Sequence, residues 1–219
     1  MDKLQQMITD GWANVITGLG IRGQDKRKST KFGTYERLDR EELINIYRAD
    51  GLGAQAIDVP CGDLVREWFE IENDTDGFIL QRMNDLSAKS KIKNALTWAN
   101  LFGGSVAVLG IDDGQELDVP VNEQNIRKIR FIDIYERWDV TWTIQDLYDD
   151  RNFEKYGTPE FYTVSNATSG EVFRVHETRV LRFDGIDVPD RERNQNQGWG
   201  DSRLQRIYNR LKGLGESFG

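Results

Sequence analysis

Apolar residues recur at helical spacing through Leu4, Met7, Ile8, Trp12, Val15, Ile16 and Leu19, which predicts an amphipathic helix from about Lys3 to Thr17. Its stripe is either core or a docking face for a neighbouring subunit, and Gly18, Gly20 and Gly23 end it. Asp39 and Glu42 have capping-box spacing, with Asp in place of Ser or Thr, and open a helix carrying Leu43, Ile46 and Tyr47 that Gly51 and Gly53 break. Ala54, Ala56, Ile57 and Val59 predict a further helical stretch terminated by Pro60. Glu67 to Glu72 reads as a strand or extended segment, and the Asp/Asn-rich turn from Asn73 to Asp76 closes it. Phe78, Ile79, Met83 and Leu86 begin a helical region.

The rest of the chain is organised around Lys91 to Ile111. Ile92, Ala95, Leu96, Ala99 and Phe102 form one apolar helical face, and Gly103 with Gly104 stops the helix. Ser105 to Ile111 is Val/Ala/Leu-rich without alternation, which predicts a short strand buried on both faces. A phosphate-cradling loop needs strand, Gly-rich turn and helix in that order, because the helix N-terminus supplies the free N–H groups. Here the helix comes first, so the two glycines read as a helix stop.

After Ile111 the pattern changes to strand-like pieces at Lys128 to Ile134, Val140 to Ile144, Glu160 to Val164, Val172 to Val175 and Arg179 to Phe183. Helices followed by strands predict an α+β fold, not a doubly wound nucleotide-binding one. Asp187 to Gln197 is polar throughout and reads as a solvated loop. Asp201 or Ser202 then caps a last helix with Leu204, Ile207, Tyr208 and Leu211 on one face and Arg203, Arg206 and Arg210 on another. An amphipathic helix with nothing after it to pack on predicts a chain cut short, or one completed by a partner. The expected organisation is an N-terminal helix with a mobile basic connector over 1–34, an α+β core over 35–186, and a polar loop with the start of a terminal helix over 187–219.

Composition narrows the function. The 219 residues are 38% hydrophobic with a net charge of −8, so the surface as a whole disfavours nucleic acid or an anionic membrane. No run approaches the roughly eighteen apolar residues of a membrane span, and Met1 to Leu19 lacks the plan of a signal peptide. These features place the chain in a cytoplasm, with no membrane partner. One Cys (Cys61) and one His (His176) exclude an internal disulfide and an ordinary structural zinc site.

Candidate chemistry is sparse. His176-Glu177-Thr178 is the half-motif of enzymes that open phosphodiesters with two histidines, but the second His is missing, which favours a structural strand-edge His. Asp112/Asp113 and Asp149/Asp150 lack EF-hand spacing and read as solvated turns. No catalytic residue, metal ligand or cofactor is assigned. Five basic residues against one acid between Arg22 and Lys31 make a mobile connector, with Lys26, Arg27 and Lys28 as candidate DNA contacts. Arg203, Arg206 and Arg210 share a helical face that is either solvated, grips phosphates or pairs with acids of a neighbouring copy.

Five ordered segments carry a resemblance. AIDVPCGDLVREWFEIE (Ala56 to Glu72), ALTWANLFGGSVAVLGIDDG (Ala95 to Gly114), TPEFYTV (Thr158 to Val164), VHETRVLRFDG (Val175 to Gly185) and GWGDSRLQRIYNRLK (Gly198 to Lys212) together make the chain similar to phage portal proteins. The group in question is the tailed-phage and prophage portals whose N-terminal domain has also been labelled anti-CBASS-like. The resemblance implies the wing-side N-terminal half of a structural ring subunit, without enzymatic activity. It implies a ring of about twelve copies at one capsid vertex, assembled in the host cytoplasm and carried in the virion. Capsid and scaffolding proteins would be partners, with terminase and the head–tail connector engaged through parts absent here, and double-stranded DNA would pass through the channel. Met7, Trp12 and Ile16 with Arg203, Arg206 and Arg210 are the candidate subunit contacts. The anti-CBASS label implies as alternative a cyclic-nucleotide phosphodiesterase-related anti-defence protein, whose paired His-x-Thr motifs this chain lacks. A small nucleic-acid-binding module is a third reading, which the acidity opposes.

Overall fold

Helix α1, Arg40–Ala49, opens as the spacing predicts: the Glu42 N–H donates to Asp39 Oδ1 at 2.8 Å and the Asp39 N–H donates to Glu42 Oε2 at 3.0 Å. The computed structural model describes residues 37–72, 74 and 76–218, with the side chains of the last helix described as far as Gly213. The expected helix with Met7, Trp12 and Ile16 and the connector with Lys26, Arg27 and Lys28 lie outside the described residues. Leu38 to Gly219 form one compact unit.

Two expectations in this helical region need correction. The break after α1 falls at Asp50, whose carboxylate accepts from the N–H groups of Leu52 and Gly53, so Gly51 and Gly53 begin the next helix. Gly53 is placed there by close packing, since a Cβ would meet Ile46 Cγ2 at 2.8 Å. Helix α2, Gly51–Leu64, also runs straight through Pro60. Ile57 and Cys61, one turn apart and fully buried, continue the core face beyond the proline, and that burial outweighs the lost backbone hydrogen bond.

The segment Glu67 to Glu72 joins no sheet. Trp68 instead packs into the cluster beneath Met83 and Leu86, which fixes the chain as an irregular connector. Helix α3, Phe78–Asp85, is capped by the Asp74 carboxylate, which accepts from the Ile79 N–H at 3.2 Å and the Leu80 N–H at 2.9 Å. Helix α4, Ala88–Phe102, ends at Gly103 with φ +90°, and the chain passes at once into strand β1, Gly104–Asp112.

β1 is the centre of the first sheet. Strand β2, Lys128–Glu136, pairs antiparallel on one side of β1, and a later strand, β6, Val180–Asp184, pairs antiparallel on the other. Strands β3, Val140–Thr141, β4, Phe161–Ser165, and β5, Val172–His176, form a second antiparallel sheet with β4 in the middle. Val106 and Val108 face Val140, Tyr162, Val164, Val175 and Trp199, whereas Ala107 faces Ala88 and Ile132. Both faces of β1 are therefore covered, as its unalternating sequence predicts. The fold is α+β, with helices first and two small sheets after them.

The polar segment 187–197 is not all loop. Asp190–Gln195 forms a short helix, α5. Helix α6, Arg203–Phe218, follows, with the Ser202 hydroxyl accepting from the Leu204 N–H at 3.1 Å. Leu204, Ile207 and Tyr208 join Leu43, Ile57 and Phe102 in a helical core.

Between the layers lies Trp199, only 1% exposed although it sits in the glycine-flanked sequence Gly198-Trp199-Gly200. Its ring covers Gly104, where any Cβ would overlap it, and it stacks edge-on with Trp142 at 5.2 Å. Trp199→Ala is expected to cost about 3–5 kcal/mol, measured by denaturant unfolding. Gly104→Ala is expected to destabilise through the same contact although it adds only a methyl group.

Candidate functional site

The acidic pair Asp112/Asp113 is not a solvated turn. Asp112 pairs with Arg130 at 2.9 Å, and Asp113 is fully buried against Arg179, itself fully buried, with 2.8 Å between Oδ2 and Nη2. Asp113 also accepts from the N–H groups of Gln115 at 3.1 Å and Asn122 at 2.8 Å. Arg179 also donates to the carbonyls of Val119 at 2.8 Å and Ile111 at 3.4 Å. The pair thus fastens the excursion between β1 and β2 to the start of β6, with each charge hydrogen-bonded as burial requires. Burial pushes the Asp113 carboxyl up, but the Asn122 N–H, Arg179 and the Gln115 N–H outweigh it and hold the group at about 2. Asp149 and Asp150 are exposed in a turn where Asp150 accepts from the Asn152 N–H, as their sequence suggests.

His176 closes β5 with 3% of its surface exposed. Its Nδ1 accepts from the Thr178 N–H at 3.2 Å and lies 2.9 Å from the Thr178 hydroxyl, which itself accepts from the Val121 N–H. These contacts commit Nδ1 as an acceptor and leave the ring proton on Nε2, 3.8 Å from Glu160 Oε1. The ring packs edge-on against Phe161. Burial lowers its pKa, against the opposing pull of Glu177 and Glu160. The arrangement ties the Val121 loop to a strand end, as a structural histidine does.

Gly103 and Gly104 hold no ligand space. Gly103 lies against the Gly200 carbonyl and Gly104 lies under Trp199. Among the described residues, no group of three or more His, Cys, Asp or Glu is placed to hold a metal, and no helix is long and apolar enough to cross a membrane.

The three arginines of α6 divide. Arg203 is half-buried and its Nη1 reaches Asn100 Oδ1 at 3.4 Å. Arg206 and Arg210 are exposed, and Arg206 Nη2 reaches the Asp187 carbonyl at 3.4 Å. A cleft of about 680 Å³ opens elsewhere on the unit, between Arg40 and Trp98 of the helical layer and the segment Tyr135 to Asp139. Arg40 crosses its edge, pairing with Glu136 and stacking on Phe102 and Trp138. Burial raises the carboxyl pKa of both Glu136 and Asp139, with Arg40 acting against it. Neither this cleft nor the Asp113–Arg179 pair is visible as a local motif, because the partners of each lie in separate elements.

The profile of a family described as Phage portal protein matches residues 41–217. A protein named Anti-CBASS protein Acb1 from Caulobacter sp. (strain RHG1) is 30% identical over 216 residues, covering 96% of this chain and 34% of that protein. Another of the same name from Sphingomonas paeninsulae is 26% identical over 209 residues, covering 93% of this chain and 32% of that one. The chain spans about a third of the length of these curated relatives.

Asp113 is held below its ordinary value of 3.8, so it adds stability that is present above that value and lost as pH falls through about 2. The difference in unfolding temperature between wild type and Asp113→Asn is expected to shrink over that acid window. At neutral pH, Arg179→Met is expected to lower the unfolding temperature more than Arg182→Met, because only the first strands a buried carboxylate.

Proposed function

Because the chain belongs to the phage portal protein family, we propose that it is a structural, non-enzymatic portion of a portal subunit, acting by self-assembly into a ring at a capsid vertex. The observation that carries this reading is the family match, which runs from α1 to the end of α6 and so takes in both sheets and the helical layer. In this role the described unit corresponds to the wing. Arg206 and Arg210 support a subunit contact, since both are exposed cations on a helix whose other face is buried. Met7, Trp12, Ile16 and Arg203 complete the proposed contact set. Lys26, Arg27 and Lys28 are the proposed DNA contacts. The partners would be other copies of the chain, capsid and scaffolding proteins, the packaging motor and the duplex itself, and the location the virion.

The net charge of −8 suits such a conduit. A wall that held phosphates through many Lys and Arg contacts would trap the duplex, because each contact adds affinity through counterion release. Acid-rich walls lower that friction.

The name of the curated relatives, Anti-CBASS protein Acb1, favours a second reading, an anti-defence protein, which the resemblance implies would act on cyclic nucleotides. Against it stand the single histidine of the chain and the commitment of its Nδ1 to Thr178. Purified chain is expected to leave cyclic dinucleotides and trinucleotides intact. Hydrolysis abolished by His176→Ala would reverse that reading.

Native mass measurement and electron microscopy test the portal role, and antibody labelling of virions tests it independently. Rings of about a dozen copies, or label confined to one capsid vertex, are expected. Label absent from the capsid would remove the proposal.

A further inference from the structure

Two surfaces of this unit carry opposite charge and do not meet within one copy. The first is the cleft beside β2, walled by Trp98, Tyr135 and Trp138 and edged by Asp133, Glu136 and Asp139. Three carboxylates face one arginine there: Arg40 takes Glu136, Asp133 has only Lys91 at 3.9 Å, and Asp139 has no ion pair within 4 Å among the described residues. The aromatic wall already accepts a guanidinium, since Arg40 lies 5.9 Å from the Trp138 ring and Arg137 lies 4.6 Å from it. The second surface is the outer face of α6. From Ser202 to Gly215 this helix carries Arg203, Arg206, Arg210 and Lys212 with no acid. Arg206 and Arg210 stand four residues apart, hence side by side on one helical face. None of these cations lines the cleft of its own chain.

We propose that the α6 face of one copy docks in the aromatic and acidic cleft of the next, with Arg206 and Arg210 pairing against Asp133 and Asp139. This rests on the portal reading and names the surfaces that reading needs. The two patches differ, so the contact is head-to-tail: each copy offers one helix and one cleft, and repetition propagates around a ring. A guanidinium stacked on Trp138 while bonded to a carboxylate gains from both contacts, and Arg does this where Lys does not. Asp133, with Lys91 no nearer than 3.9 Å, and Asp139, with no ion pair within 4 Å among the described residues, are the groups such a helix would neutralise.

Two charge-reversed chains test the pairing. One carries Arg206→Glu and Arg210→Glu, the other Asp133→Lys and Asp139→Lys, and circular dichroism with thermal unfolding verifies that each is folded. Sedimentation then follows association of wild type, each variant alone, and the equimolar mixture. Each variant alone is expected to associate about a hundredfold more weakly than wild type, because like charges face each other at every contact. The mixture is expected to regain association with the two chains alternating, since every helix then meets a cleft of opposite sign. Arg206→Lys with Arg210→Lys is expected to weaken association less than the reversal does. Folded variants that associate as wild type does would overturn this pairing and leave the cleft to another basic partner. A mixture that does not recover, or a folded wild type that shows no association at any concentration, would overturn it too. The portal reading is decided apart from this, by the vertex labelling of virions.

Discussion

The seating of Trp199 on Gly104 is the contact through which the layers of this unit become one body. Gly103, Gly104, Gly185 and Gly200 bring three backbone segments close enough that a side chain on any of them would collide with a neighbour. Into that seam the indole inserts from the loop before α6, touching β1 of the first sheet and Trp142, which directly follows β3. The guanidinium of Arg182 lies over the ring at 4.3 Å and its Nη2 donates to the Gly198 carbonyl at 2.5 Å, so β6 holds the loop that carries the indole. Aromatic burial supplies the energy and the missing Cβ atoms supply the geometry. Neither alone would place α6 on the helical layer.

The buried Asp113–Arg179 pair does for the loops what Trp199 does for the layers. A long excursion from β1 would otherwise be free to move, and a hydrophobic plug could hold it in several arrangements. A carboxylate with three donors and an arginine with two carbonyl acceptors and one carboxylate accept only one. The same logic applies to His176, whose Nδ1 lies against the Thr178 hydroxyl that accepts from the Val121 N–H. The β-rich part of the unit is thus specified by buried polar groups, whereas the helical part is specified by shape.

What the sequence reveals follows from how local each interaction is. The capping box at Asp39 and Glu42, the helix ending at Gly103 and the doubly covered β1 are all written within a few residues, and each forms where the pattern puts it. Four of the five strand pieces are legible for the same reason, whereas the one expected over Val140 to Ile144 is a strand only at Val140–Thr141 and turns into a 3-10 helix at Ile144. Pro60 misleads because its local cost is real but is exceeded by the burial of Ile57 and Cys61 on either side of it. Asp113 misleads because the residue that buries it is 66 positions away, and an Asp-Asp-Gly turn looks the same whether or not an arginine waits for it. Trp199 is hidden by its glycine neighbours and polar approach. Of the candidate contacts, Arg206 and Arg210 are legible as an exposed cationic face, whereas the cleft draws on α1, α4, β2 and the turn after β4, so no window of sequence contains it.

The order in which these contacts are made along the chain has a consequence for synthesis. On the ribosome, α1 to α4 and the first hairpin of β1 with β2 emerge long before Trp199, and Leu38 N–H must wait for the Gln205 side chain, 167 residues later. Until then the valines of β1 and the glycine seam lack their cover, and the nascent unit exposes apolar surface to its neighbours. Helix α6 leaves the exit tunnel after all of these elements, and it is the one that seals the core and displays Arg206 and Arg210. Each copy therefore acquires its closed core and its charged outer face in the same step.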